Sequence, residues 1–189
     1  ALEQIPPRDR DGWLDVLWDV DEVPPDAPEL PRGCVPYLPC SIATVLDALQ
    51  QAAVTCDDVF VDVGSGAGRA ALVTHLMTGA SCIGLEIQPL LARTSQARAD
   101  WLMLNRIRFI EGDASDMVRY VPLGTVFFLY CPFGHHRLSR FLDGLEDVAR
   151  ARRIRVCCVD MPPLELPWLA RARSTSSLVD VYHSTLLPQ

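Results

Sequence analysis

The chain has 189 residues, of which 49% are hydrophobic and 22% are charged, and its formal net charge is −7. These values fit one globular domain with a full-sized core, and the acidic balance argues against a nucleic-acid partner. No apolar run approaches the roughly 18 residues of a membrane span, so no membrane partner is expected.

The N-terminal residues lack the basic and apolar regions of a secretory signal. Seven cysteines are present without a CxxC pair or a metal-ligand spacing, so they are expected to be free thiols. These features predict a cytoplasmic protein without a bound metal.

Residues 1–35 are predicted to form an acidic leader that contains prolines and tryptophans, ahead of one domain over residues 36–189. Four apolar leader residues share one face of a short helix. That helix either packs against the side of the domain or covers the site as a lid, in which case Trp18 belongs to the substrate pocket. The four residues are Trp13, Leu14, Leu17 and Trp18.

Downstream of the leader, apolar strands alternate with amphipathic helices, and two short strands close the chain. This order predicts an α/β fold with a seven-stranded, mostly parallel, Rossmann-like sheet and an antiparallel C-terminal hairpin. The predicted strands are 59–63, 81–87, 108–113, 125–130, 154–160 and the hairpin of 168–173 with 178–184; the helices are 41–53, 68–77, 90–104 and 136–151.

A glycine turn at residues 64–68 joins the first strand to its helix. Glycines at alternate positions allow a sharp turn and the close approach of a ligand, and the following helix directs free N–H groups toward it. A dinucleotide site requires G-x-G-x-x-G/A, but the sixth position here is Arg69. The turn therefore disfavours a nicotinamide enzyme.

The residues from Asp62 to Gly68 instead read D-x-G-x-G-x-G, which resembles the class I S-adenosylmethionine (SAM) methyltransferases. The resemblance covers nearly everything from Pro36 onward and implies that SAM is the cofactor and S-adenosylhomocysteine the product. The cofactor-binding residues that it implies are Tyr37, Asp62, Gly64, Ser65, Gly66, Gly68, Glu86, Ile87, Gly112, Asp113, Ala114 and Tyr130.

Two acids at strand ends support this resemblance. Glu86 closes the second strand, where a carboxylate can accept two hydrogen bonds from ribose hydroxyls. By analogy with the family, Asp113 accepts a hydrogen bond from the adenine amino group, and the Ala114 N–H donates to a ring nitrogen.

The amino-acid sequence around the turn and at residues 129–134 is similar to that of the Dot-type (non-SET) histone-lysine methyltransferases and their small bacterial relatives. The segment Pro36–Pro39 resembles the one that those enzymes fold over the methionine end of SAM. The chain shows neither their extra N-terminal domain nor a basic tail, so the resemblance supports cofactor binding rather than histone chemistry.

In the family, residues that follow the fourth strand face the methyl group. Here the tetrad 130–133 lacks the Asn/Asp-Pro-Pro-Tyr/Phe pattern that grips an amino group, which argues against methylation of a nucleic-acid base. Tyr130 and His135 are the candidate catalytic residues, since imidazole can act as a base near neutral pH. Cys131, Pro132 and Phe133 are expected to line the substrate pocket.

The predicted function is transfer of the SAM methyl group to an O or N acceptor, either a small molecule or a protein side chain. A non-catalytic module that binds SAM or a partner on the same fold is the alternative, because no general base is obvious.

Overall fold

A computed structural model of the chain describes residues 2–18, 23–173 and 178–186. Its seven strands form one sheet in the order β3-β2-β1-β4-β5-β7-β6. Strands β1 to β5 are parallel, whereas β7 runs antiparallel to both β5 and β6. The predicted fold class is thus confirmed. The strands are β1 Val59–Val63, β2 Ser81–Glu86, β3 Ile107–Glu111, β4 Val126–Tyr130, β5 Arg155–Val159, β6 Leu169–Arg171 and β7 Asp180–Ser184.

Six α-helices accompany the sheet in the described part of the chain, and the four predicted after the leader lie within about three residues of their expected bounds. Ser41 caps one of them, its hydroxyl accepting a hydrogen bond from the Thr44 N–H at 3.2 Å. A helix of four residues was not predicted, because it is too short to show a period. The helices are α1 Arg10–Leu17, α2 Ile42–Gln51, α3 Arg69–Thr78, α4 Pro89–Trp101, α5 Ala114–Met117 and α6 His135–Ala151.

The core lies on both faces of the sheet because alternate side chains of each central strand point in opposite directions. On one face, the rings of Phe60 and Phe128 stack with their centroids 5.8 Å apart, in the same cluster as α2 and α3. On the other face, Phe127 packs in a cluster with Phe141 and Leu145 of α6. The resulting sheet is rigid and presents the carboxyl ends of β1 to β5 at one edge.

The leader helix α1 packs against the side of the domain, which is the first of the two alternatives left open by the sequence. Trp18 follows the helix and is buried, and its indole N–H donates to the Ala67 carbonyl at 2.6 Å. Arg69, at the start of α3, forms ion pairs with Asp11 and Asp15 of the leader. These contacts tie the leader to the glycine turn from behind.

Among the described residues, no helix is both long and apolar enough to cross a membrane. The division between residues 1–35 and 36–189 stays a prediction.

Candidate active site

A cavity of about 470 Å³ opens at the carboxyl ends of the parallel strands. Its volume falls in the range of roughly 300–1,000 Å³ that is usual for small-molecule sites. Its position next to β1 and β4, where the strand order reverses, is where open α/β sheets bind ligands. The lining residues are Cys34, Val35, Pro36, Tyr37, Leu38, Gly64, Gly66, Leu85, Glu86, Ile87, Gln88, Gly112, Asp113, Ala114, Tyr130, Cys131, Pro132, Phe133 and Asp160.

The glycine turn forms the floor of the cavity and is closely approached on two sides. Gly64 and Gly66 have φ angles of 75° and 52°, in the left-handed region that favours glycine. A Cβ at Gly66 would lie less than 3.0 Å from the ring of Tyr37, and a Cβ at Gly64 would lie 3.0 Å from the Pro132 side chain. Both glycines are therefore required by space as well as by conformation.

Glu86 connects the end of β2 to the glycine turn. Its Oε2 accepts a hydrogen bond from the Gly66 N–H at 2.7 Å, and its Oε1 accepts one from the Gln88 N–H at 2.8 Å. Burial raises the pKa of Glu86, while these backbone hydrogen bonds oppose the rise. A buried carboxylate fixed by main-chain donors is thus held at the cavity wall.

Asp62 lies beneath the turn and does not line the cavity. It is buried, it accepts a hydrogen bond from the Ala71 N–H, and its Oδ2 has no hydrogen-bond partner among the described residues. Burial raises the pKa of Asp62 to about 7, with a smaller contribution from the charge of Glu86. This carboxyl group is therefore close to the point of changing its charge at neutral pH.

Asp113 caps the short helix α5 and also pairs with α6. Its Oδ1 accepts hydrogen bonds from the Ser115 N–H at 3.0 Å and from the Ser115 hydroxyl at 2.7 Å, and its Oδ2 pairs with Arg137. Burial acts to raise the pKa of Asp113, but the hydrogen bonds from Ser115 and Arg137 outweigh burial and lower it. Asp113 is therefore a fixed, ionised group beside the cavity.

A segment that we call the strap, residues 23–40, passes over the cavity. Asp26 Oδ1 accepts hydrogen bonds from the Tyr37 N–H at 2.9 Å and from the Gln88 side-chain amide at 2.8 Å. Cys34 forms an isolated β-bridge with Phe133. The Tyr37 hydroxyl is buried without a hydrogen-bond partner within the described residues. The strap thereby places a polar group against the glycine turn.

The opposite end of the cavity is formed by residues that follow β4 and β5. Cys131 and Asp160 both have positive φ angles, 40° and 51°, although neither is glycine. They follow the paired residues Tyr130 and Val159, so they lie side by side at the sheet edge. Such conformations cost energy and cluster at functional sites. The pKa of Tyr130 is raised by burial and by the neighbouring Cys40 and Asp160.

Most of the predicted site residues lie together at this cavity, but four of those whose side chains are described do not line it. Ser65 and Gly68 belong to the turn and Asp62 precedes it, but none of the three is among the lining residues. Trp18 is also absent from the lining, and its indole contacts the Ala67 carbonyl. The expectation that Trp18 lines the substrate pocket is therefore corrected, because its indole is needed to cap the Ala67 carbonyl. His135 begins α6, but its side chain lies outside what the structure describes.

The sequence interpretation did not select Cys34, Val35, Gln88 or Asp160 as site residues. Asp160 had a readable signal, since it is an acid directly after a buried strand, and Glu86 likewise stands at the end of one. Gln88 and the two strap residues gave no such signal, because their positions depend on contacts between distant segments.

No family model matches this chain, and no curated protein matches it. Among solved structures, it is similar to an RNA methyltransferase from Salinibacter ruber in complex with S-adenosyl-L-homocysteine, at 22% identity and a TM-score of 0.56, over 80% of this chain and 95% of that one. It is also similar to the putative methyltransferase yhhF from Escherichia coli, at 18% identity and a TM-score of 0.62, over 84% and 92%.

A third similar structure is TrmN from Thermus thermophilus, at 18% identity and a TM-score of 0.57, with 76% of this chain and 48% of that chain covered. At these identities the similarities show the fold. The chain therefore has the Rossmann-like fold of these methyltransferase structures.

Proposed function

We propose that this protein is a SAM-dependent methyltransferase. The observation that carries the proposal is the connection between the glycine turn and Glu86, in which a buried carboxylate and a closely approached main chain form one wall of the cavity. The fold adds support, since the similar structure from Salinibacter ruber is an RNA methyltransferase in complex with S-adenosyl-L-homocysteine.

The residues at one end of the cavity fit the parts of SAM. Glu86 presents carboxylate oxygens that suit ribose hydroxyls, and Asp113 with the Ala114 N–H suits the edge of adenine. The ring of Tyr37 lies against Gly66, and its buried hydroxyl lacks a protein partner within the described ranges, so Tyr37 suits the polar methionine end. When bound, SAM would supply a methyl group on a positively charged sulfur.

The acceptor would lie at the other end of the cavity, beside Tyr130, Cys131 and Asp160. Phe133 and Pro132 give this end an apolar wall that excludes water, which helps to align the acceptor. The Asp160 carboxylate can hold or accept a proton from an N–H or O–H group of the acceptor. Tyr130 can orient that group by a hydrogen bond, and His135 stays a predicted base.

We propose an O or N acceptor carried by a small molecule or a protein side chain. The RNA methyltransferase among the similar structures makes a nucleic-acid acceptor the second candidate. The tetrad 130–133 and the net charge of −7 favour the first class. The Dot-type resemblance has no counterpart among the structures named above, and the proposal does not depend on it. We also propose that the protein acts in the cytoplasm, where Cys34 and Cys131 would stay reduced.

Calorimetric titrations with SAM, S-adenosylhomocysteine and NAD test the cofactor assignment. We expect both sulfur compounds to bind and NAD not to bind, and the reverse result would contradict the proposal. Radiolabelled methyl transfer is then measured separately to small-molecule, protein and RNA fractions of a cell extract. Label in one fraction identifies the acceptor class, whereas SAM binding without label in any fraction supports the non-catalytic module.

A further inference from the structure

A second cavity of about 480 Å³ lies at the start of α6, and its lining is strongly basic. The lining residues are Arg32, Gly33, Gly134, His136, Arg137 and Arg140. Three of these six are arginines and none is acidic, although the chain as a whole carries a net charge of −7. Within the described residues, the lining of this cavity thus carries three guanidinium groups and no carboxylate on an otherwise acidic protein.

Two of the arginines are held from behind by acids of the neighbouring helix α5 and its cap. Arg137 pairs with Asp113, and its Nε donates to the Arg32 carbonyl at 3.0 Å. Arg140 pairs with Asp116. A guanidinium group has five N–H donors, so these contacts fix the two groups in place and leave donors for the cavity.

Arg32 differs from these two arginines because its side chain is exposed and forms no ion pair with any described residue. Its backbone carbonyl, rather than its guanidinium, makes the contact with Arg137. The Arg32 guanidinium is therefore available to a ligand, and replacing it would leave the main-chain contact of the strap in place.

The start of α6 is electrostatically unusual. A helix N-terminus favours negative charge, yet this one has no acid in its first turn, no side-chain cap and two arginines within its first six residues. The first N–H groups of a helix have no acceptor within the helix, and Gly134 and His136 at this helix start line the cavity together with the arginines. Because this helix start lacks the negative charge that a helix N-terminus favours and lies beside a cavity, it indicates that a bound anion supplies that charge.

We infer that this second cavity binds a phosphoryl group. A tetrahedral dianion accepts hydrogen bonds from several directions. It therefore suits three guanidinium groups that come from the strap and from α6 better than a planar carboxylate does. The cavity adjoins the larger one, because the strap lines both and Asp113 at the larger cavity holds Arg137. The phosphoryl group belongs either to a phosphomonoester acceptor or to free phosphate, and the acceptor assignment rests on the proposed function.

Calorimetric titration with inorganic phosphate at low ionic strength tests the site without any cofactor. We expect saturable binding at one site that Arg32→Gln weakens at least about tenfold, since a charge-assisted hydrogen bond is lost. Arg8→Gln removes the same charge at an exposed arginine outside the cavity and should change the affinity less than twofold. Arg140→Gln is the second variant and should weaken binding as well.

Absence of saturable phosphate binding would overturn the inference. Equal weakening by Arg32→Gln and Arg8→Gln would also overturn it, because the arginines would then attract phosphate by general surface charge rather than at this cavity. Parallel titrations with adenosine monophosphate, adenosine and a single-stranded RNA oligonucleotide distinguish the sources. If adenosine monophosphate binds more tightly than inorganic phosphate and adenosine does not bind, the result supports a phosphomonoester acceptor. Equal affinities support free phosphate, and binding of the oligonucleotide alone overturns the inference.

A titration of the wild-type protein with S-adenosylhomocysteine, run separately, keeps the two proposals apart. Phosphate binding without S-adenosylhomocysteine binding would support this cavity while removing the methyltransferase assignment. The opposite pair of results would support the methyltransferase and remove the phosphoryl site.

Discussion

The two ends of the large cavity differ in how their polar groups are held. At the end formed by β1, β2 and β3, both oxygens of Glu86 accept main-chain hydrogen bonds, and Asp113 is fixed by Ser115 and Arg137. At the end formed by β4 and β5, the Tyr130 hydroxyl and the Asp160 carboxylate have no hydrogen-bond partner among the described residues. We describe the first end as built in advance, because protein contacts already hold its polar groups in position. The polar groups of the second end are left for a ligand.

This difference has a physical reason in the fold. Main-chain groups at the ends of parallel strands occupy fixed positions whatever the side chains are, so they can serve one constant ligand. Side chains on the loops that follow β4 and β5, such as Cys131 and Asp160, lie outside the strands, and loop side chains can vary without disturbing a sheet. A constant cofactor and a variable acceptor are what such a division suits.

The largest effect on SAM affinity is expected for Gly66→Val, a substitution at the end that is built in advance. A side chain at this position would overlap the Tyr37 ring and would also strain a backbone with φ of 52°. We expect SAM affinity to fall by more than about 100-fold, which corresponds to roughly 2.7 kcal/mol. Calorimetry measures the affinity, and circular dichroism checks that the variant is folded.

Gly12→Ala is the matched control, because a Cβ at Gly12 would meet nothing within 4 Å. It should bind SAM as the wild-type protein does. Normal SAM binding by folded Gly66→Val would mean that the glycine turn is not part of the cofactor site.

The second effect concerns Asp62, a buried acid at this end whose Oδ2 has no hydrogen-bond partner among the described residues. Its pKa is about 7 in the folded protein, above the value near 3.8 of a free side chain, because burial penalises the charged form. The folded state therefore binds more protons than the unfolded state between pH 4 and 7. Stability is greatest below about pH 4 from this group and falls as the pH rises to 7, by on the order of 4 kcal/mol.

Asp62→Asn removes this titration. Urea unfolding at several pH values between 4 and 8 should show that the wild-type protein loses stability relative to the variant as the pH rises. Parallel pH profiles of the two proteins would show that Asp62 does not titrate in this range, and the end formed by β1 to β3 would then hold all its acids ionised.

The third effect concerns Glu86, whose oxygens the main chain already holds in position. Glu86→Gln keeps the size of the side chain but replaces one carboxylate oxygen with an N–H₂ group, which cannot accept the hydrogen bond from Gly66 or Gln88. We expect SAM affinity to fall by about 1.5–3 kcal/mol, the usual contribution of a hydrogen bond to a charged group. Calorimetry with SAM measures the change.

Glu111→Gln provides a control, since Glu111 ends the neighbouring strand β3 but is exposed and does not line the cavity. Equal losses in the two variants would indicate a general charge effect rather than a contact of Glu86 with the cofactor.

The sequence predicted the end built in advance far better than the variable one. Strand periods, the glycine turn and the acid Glu86 are local patterns, and each leads directly to a position at the sheet edge. The contact of Tyr37 with Gly66, the pair of Arg137 with Asp113 and the burial of Trp18 join segments distant in sequence. No local pattern encodes such contacts, so their prediction required the packed structure.

Asp160 shows that even a residue with a local signal cannot be placed at the cavity from the sequence alone. It has a local signal, an acid directly after a buried strand, but the sequence does not indicate that the backbone turns left-handed there and brings the residue to the cavity.

The smallest effect on cofactor affinity is expected for Asp160→Asn, and this variant tests the division itself. Because Asp160 lies at the end assigned to the acceptor, away from Glu86 and Asp113, the SAM affinity should change less than twofold. Methyl transfer to the labelled extract fraction should fall at least about tenfold if the carboxylate handles the acceptor proton. Asp57→Asn, an exposed acid away from the cavity, should change neither quantity. A loss of SAM affinity in Asp160→Asn would contradict the division into two ends, since they would then act as one site. Unchanged methyl transfer would assign the acceptor contact to Tyr130 or His135 instead.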